Sequence, residues 1–133
     1  MMDIHRPVVD ALSEPFWQAA RGNRLLIQRC PATGRHQWYP RAHSLHAPGA
    51  VPEWVEASGR GEIVTWSAIH RGPGAVEGPY ICALIRLEEG VVLLSTIEGA
   101  DEKELAKGSK VRVDFRIVSD ELTVPTFRLE DQF

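Results

Sequence analysis

The sequence predicts a mainly β protein in which a short N-terminal helix and a knuckle-tipped hairpin precede a five- or six-stranded OB-type barrel. Three observations lead there. A chain of 133 residues supplies one hydrophobic core but not two independent ones, so its parts must share a core. From Trp54 onward, apolar runs of strand type recur between short glycine-bearing turns. Within one of them Val111, Val113 and Phe115 alternate with Arg112, Asp114 and Arg116, the period-two pattern of a half-buried strand.

The elements follow in order. Ser13-Glu14-Pro15 opens a helix over residues 14–21, with Ser13 as cap, Pro15 where a missing amide hydrogen costs nothing, and Gly22-Asn23 as a left-handed stop. Its stripe of Phe16, Trp17 and Ala20 is suited to core packing or to an interface. Residues 24–29 and 37–39 read as two strands joined by the turn-rich Cys30-Pro31-Ala32-Thr33-Gly34, and residues 40–52 as loop. Strands then follow over 54–57, 62–70, 80–87, 91–97, 111–118 and 122–127. A closed barrel accommodates such strands without exposed edges, and a sandwich is the alternative. The division is thus residues 1–52 for helix and hairpin and 53–133 for the barrel.

Composition narrows the function. Apolar content of 44% and charged content of 25% exclude a disordered or fibrous chain. No run approaches the roughly 18 apolar residues of a membrane span, and MMDIHRPVVD lacks the apolar centre of a signal peptide, so the expected location is cytoplasmic, with Cys30 and Cys82 as thiols. The net charge of -3 is unevenly spread: Pro15 to Pro52 holds no acid but has Arg21, Arg24, Arg29, Arg35 and Arg41 with His36, His43 and His46. That stretch suits an anionic partner, or a solvated surface balanced by acids elsewhere.

The residues argue for little chemistry. A zinc ribbon pairs its ligands two residues apart on each of two knuckles. Here the first knuckle has Cys30 but Thr33, and the second has Ser44 and Ala47, or His43 and His46 if histidines took over. Cys30, His43 and His46 make three donors where a structural zinc requires four, so the hairpin is expected to fold metal-free, with Trp38, Tyr39 and Leu45 packing in place of the metal. Cys82 lies in an apolar strand and reads as a buried thiol; His70 reads as a surface residue, Glu88-Glu89 as a solvated turn, and Gly72-Pro73-Gly74 as no phosphate loop. No catalytic residue is assigned. Single-stranded nucleic acid, a common OB-barrel ligand, is disfavoured by nine basic against fifteen acidic residues from Glu53 to Phe133.

The order of motifs resembles a known family. The helix Phe16-Trp17, the run Arg24-Leu25-Leu26-Ile27-Gln28-Arg29-Cys30, Tyr39-Pro40-Arg41, Ser58-Gly59-Arg60-Gly61, His70-Arg71, Pro79-Tyr80, the turn Glu88-Glu89-Gly90, Gly108 before Val111-Arg112-Val113, and Pro125-Thr126-Phe127-Arg128 fall collinearly over most of the chain. They resemble the proteins of domain of unknown function thirty-five, a rubredoxin-like zinc ribbon joined to an OB-fold and associated with acyl-CoA metabolism. The resemblance implies a non-catalytic accessory subunit of a thiolase-fold acyl-CoA enzyme, helping to frame a CoA or acyl-CoA site at a shared interface. It implies Phe16 and Trp17 as partner-binding residues and Arg35 and Arg41 as contacts for the CoA phosphates, whose oxygens match a guanidinium fork. It departs at the ribbon, where Cys30 alone of four cysteines remains, so zinc is expected to be lost. A single-stranded nucleic-acid module and a stand-alone acyl-CoA thioesterase or hydratase are the alternatives.

Overall fold

A computed structural model describes residues 7–70 and 79–133; Arg71 and Gly72-Pro73-Gly74 lie outside them. The first element is α1 (Glu14–Arg21), with Pro15 in its first turn. It stops where Asn23, at φ 59°, takes the left-handed conformation. The amides of Asn23 and Arg24 then close onto the carbonyls of Ala20 and Ala19. Ser13 does not cap the helix as expected. Its hydroxyl is already engaged, donating to Asp10 Oδ1 at 2.8 Å and receiving Trp17 Nε1 at 3.2 Å, while its amide also goes to Asp10.

Three short strands come next: β1 (Leu26–Arg29), β2 (His36–Gln37) and β3 (Glu53–Glu56). They form one antiparallel sheet in the order β2-β1-β3. Two expectations are corrected here. The second strand ends at Gln37, because Trp38 leaves the ladder to pack on Phe16 with ring centroids 5.1 Å apart. And β3, expected with the barrel strands, instead pairs with β1 from Leu26↔Glu56 to Arg29↔Glu53. That register sets Arg24 against Glu56 at 2.9 Å and Arg29 against Glu53 at 2.7 Å, so two of the arginines in the acid-free stretch are neutralised from β3.

The barrel is made of β4 (Arg60–Ile69), β5 (Tyr80–Leu87), β6 (Val92–Ile97), β7 (Lys110–Ser119) and β8 (Leu122–Leu129). It closes in the order β4-β5-β6-β8-β7, with β4 returning to β7 through Gly61↔Val111 and β6 meeting β8 in parallel at Ile97↔Phe127. Five strands of the predicted five or six therefore close it. Gly61 must lack a side chain, since a Cβ there would stand 2.5 Å from the Arg86 carbonyl oxygen. The Glu88-Glu89 turn is not simply solvated: Glu89 reaches back to accept the Ser58 amide at 2.7 Å, pinning the start of the barrel. Cys82 is half-buried rather than buried, because the alternation along β5 turns Ile81, Ala83 and Ile85 inward and Cys82 outward.

One core joins the two parts. Phe16 from α1 and Leu25 and Ile27 from the ribbon belong to the same buried cluster as Ile63, Ile85, Val111 and Phe127 of the barrel. On the barrel wall Asp114 accepts Arg128 Nε at 2.8 Å, and that bond holds its carboxyl below the usual range. Among the described residues no helix is long and apolar enough to cross a membrane.

Candidate functional site

Where α1, the ribbon and the barrel meet, the surface opens into a groove of about 370 Å³. Its wall is built from Trp17 of α1, Trp38, Tyr39 and Pro40 of the ribbon, Leu94 of β6 and Pro125 of β8, and none of the residues lining it is charged. The aromatic side is a continuous chain of rings. Trp17 meets Phe16 edge-on at 4.8 Å, Phe16 meets Trp38 at 5.1 Å, and Trp38 meets Tyr39 edge-on at 5.6 Å. Such contacts fix ring orientation as well as burying area.

The predicted partner-binding pair separates into two roles. Phe16, at 6% exposed, is part of the core. Trp17 is the partly exposed member, and its indole is oriented by the bond to Ser13. The ribbon supplies surface that the helix stripe alone did not announce: Tyr39 is 56% exposed and Leu94, on the barrel, 67%. Tyr39 and Leu45, expected to pack in place of a metal, thus point outward, Leu45 at 58%; Trp38 packs against the core. The signal for this groove was present as Trp38-Tyr39-Pro40 followed much later by Val124-Pro125, but only the tertiary fold brings them together.

The metal candidates do not converge. Around Cys30 the first knuckle is folded, with Gly34 N donating to Cys30 O at 2.8 Å and Cys30 N to Arg35 O at 2.8 Å. Polar groups around the Cys30 thiol, the Ser44 and Thr33 hydroxyls first and the Thr33 and Ala32 amides after them, lower its pKa to about 7. So Thr33 and Ser44 hold the ligand positions of a ribbon with hydroxyls in place of thiolates. His46 Nε2 is within 3.1 Å of the His36 carbonyl, and His43 offers its own carbonyl to Gln37 rather than a ring nitrogen to Cys30. Among the described residues no three His, Cys, Asp or Glu side chains form a metal-holding group. One thiol and two hydroxyls do not fit a structural zinc, which takes four nitrogen, sulfur or carboxylate donors.

Arg35 and Arg41 are exposed on this ribbon, and among the described residues neither has an acidic partner. His70 is exposed at the end of β4, beside a second cavity of about 660 Å³ that Tyr80, Ala100 and Arg128 also line. Burial pushes the Cys82 thiol up, opposite to what a nucleophile needs.

A knuckled ribbon on an OB-type barrel, sharing its core and carrying an uncharged aromatic groove, defines the class as a ribbon-plus-OB protein. The family models agree. Residues 17–44 match the one described as ChsH2, rubredoxin-like zinc ribbon domain, and residues 54–116 the one described as ChsH2, C-terminal OB-fold domain. The chain belongs to this family, the DUF35 proteins. A solved chain described as Ltp2-ChsH2(DUF35) aldolase superposes with a TM-score of 0.85 at 32% identity, covering 93% of this chain and 98% of that one. A probable enoyl-CoA hydratase alpha subunit of Thermomonospora curvata is 32% identical over 124 residues, which are 92% of this chain but 39% of that protein. A DUF35 domain-containing scaffold protein of Pyrococcus furiosus is 31% identical over 70 residues, 51% of this chain and 52% of the relative. The chain thus spans well under two thirds of the curated relatives it matches.

Proposed function

We propose that this protein is a non-catalytic accessory subunit of an acyl-CoA-processing complex, docking a thiolase-fold enzyme through the groove under Trp17, Trp38 and Tyr39. The observation that carries the assignment is the groove itself: partly exposed aromatic side chains, no charge in the lining, and a wall contributed by helix, ribbon and barrel at once. Aromatic residues in an uncharged, partly dry setting are the usual centre of a protein interface. The relatives described as a scaffold, as a hydratase alpha subunit and as part of an aldolase support a role beside a CoA enzyme. Arg35 and Arg41 lie on the same ribbon and are free to meet the phosphates of CoA at the joint surface. Among the described residues neither thiol is set up as a nucleophile: Cys30 is fully buried, and the Cys82 thiol is raised by burial.

Co-expression with thiolase-fold proteins encoded nearby, followed by gel filtration, tests the assignment. A stable complex is expected, and Trp17→Ala should weaken it by about 2 kcal/mol or more. Arg41→Ala should leave assembly intact and lower acyl-CoA use by the assembled enzyme. Failure of any complex to form, together with acyl-CoA turnover or oligonucleotide binding by the pure chain, would reject the accessory role.

A further inference from the structure

The ribbon has lost its metal donors, yet its second knuckle is held by a set of bonds that the barrel does not supply. Gln28 and Gln37 are both 3% exposed, unusual for amide side chains, and they face each other across β1 and β2 in the register Gln28↔Gln37. Gln28 Oε1 accepts Gln37 Nε2 at 3.0 Å and the Arg41 amide at 2.9 Å, while Gln28 Nε2 donates to the Arg41 carbonyl at 2.9 Å. Gln37 completes the set: its Nε2 donates to the His43 carbonyl at 3.3 Å, and its Oε1 accepts the Leu45 amide at 2.9 Å. Neither amide is among the buried polar atoms left without a partner. Two side chains therefore grip the backbone at residues 41, 43 and 45.

We infer that Gln28 and Gln37 form an amide clasp that takes over the job of the missing metal, locking the second knuckle and positioning Arg41 on the docking face. A metal would tie the two knuckles at their tips; the clasp ties the loop to the sheet floor instead. A fully satisfied buried network specifies one arrangement, because every alternative leaves a buried amide unpaired at a cost comparable to a lost hydrogen bond. Both N–H and C=O of Arg41 are held by one side chain, so the two peptide planes that flank the Arg41 Cα are both fixed while Gln28 is in place. The lock itself depends only on the geometry of the chain; the positioning role rests on the docking assignment above.

Hydrogen exchange on the full-length protein tests both parts. In Gln28→Ala and in Gln37→Ala, the amides of Arg41 and Leu45 respectively should exchange at least about tenfold faster, while β5 and β7 keep wild-type protection. In the wild type, a zinc chelator should change nothing. Unchanged exchange at both amides in the two variants, or faster exchange in the wild type on chelation, overturns the lock. Should one variant fail to fold, the other variant and the chelation experiment still decide. Acyl-CoA use by the assembled enzyme should fall in both variants; loosened loops with undiminished acyl-CoA use overturn the positioning role. If the wild type itself binds no such partner, the docking assignment is what fails, and the exchange result still decides the lock.

Discussion

In the barrel the most deeply buried large side chains are Ile63, Ile85, Leu87, Val111 and Phe127, all apolar, with Thr126 the one polar side chain as deep; in the ribbon they are Leu25, Ile27, Cys30, Gln28 and Gln37, three of the five polar or sulfur-bearing. The barrel is stabilised by withdrawing apolar surface from water, which tolerates small errors of direction. The ribbon has too few residues to bury much surface, and it leaves Tyr39, Leu45 and Val51 exposed. It relies instead on directional bonds whose donors and acceptors match one for one. A small segment that does not gather four metal donors can keep its shape this way, provided that each polar group finds its partner and that it shares a core with a larger neighbour.

The sharpest way to break the comparison is to attack the element that belongs to both regions. Phe127 is fully buried, sits in the core cluster with Phe16 and Leu25, and lines the groove. Phe127→Ala should cost about 3–5 kcal/mol, read as a drop in the urea midpoint. Tryptophan fluorescence, dominated by Trp17, Trp38 and the other two tryptophans, should lose its folded signal in the same transition as the far-ultraviolet circular dichroism. Two separated transitions would show that ribbon and barrel do not unfold as one unit.

A matched pair of glycines sharpens the same contrast. Gly61→Ala places a methyl 2.5 Å from a backbone oxygen of the adjacent barrel strand, which cannot yield without moving the ladder, so about 1–3 kcal/mol should be lost. Gly49→Ala in the ribbon loop meets nothing within 4 Å, and only its φ of +76° resists the change, at about 1 kcal/mol. Thermal melts of the two variants should rank in that order. A reversed rank would mean that the ribbon loop is more tightly specified than the barrel wall.

Much of the barrel was legible in the sequence for the same reason that it is stable. Period-two alternation reports directly on which side of a strand faces the core, and β7 is found over Lys110–Ser119, where the alternation from Val111 predicted a strand. The helix was equally plain from Pro15 and the Gly22-Asn23 stop. The ribbon was not, because hydrogen-bond complementarity leaves no periodic trace. Gln28 and Gln37 look like ordinary polar strand residues until the fold turns both inward, and Thr33 and Ser44 read as missing ligands rather than as polar neighbours of the Cys30 thiol. The partners of β3 were hidden too: Trp54-Val55 carries a strand signal, but nothing local says that β1 rather than the barrel will receive it. The groove was half visible, with Trp17 singled out by its helix and Tyr39 and Leu94 reaching it only through tertiary contact.

The smallest effect concerns the two ion pairs that join β1 and its preceding turn to β3. Arg24 with Glu56 and Arg29 with Glu53 lie at the surface, each partner roughly half exposed, so water and salt screen them strongly. Glu53→Gln and Glu56→Gln should each cost about 0.2–1 kcal/mol at low salt, and the double variant should add nearly as the sum, since the pairs share no atom. At about 1 M salt the Debye length shrinks to about 3 Å, and the loss should largely vanish. The substitutions also unmask two arginines, so the proposed affinity of the ribbon for an anion such as CoA should rise at low salt and not at high salt. A loss above about 2 kcal/mol that survives high salt would place these pairs with the glutamine clasp, as directional elements of the ribbon rather than surface neutralisation.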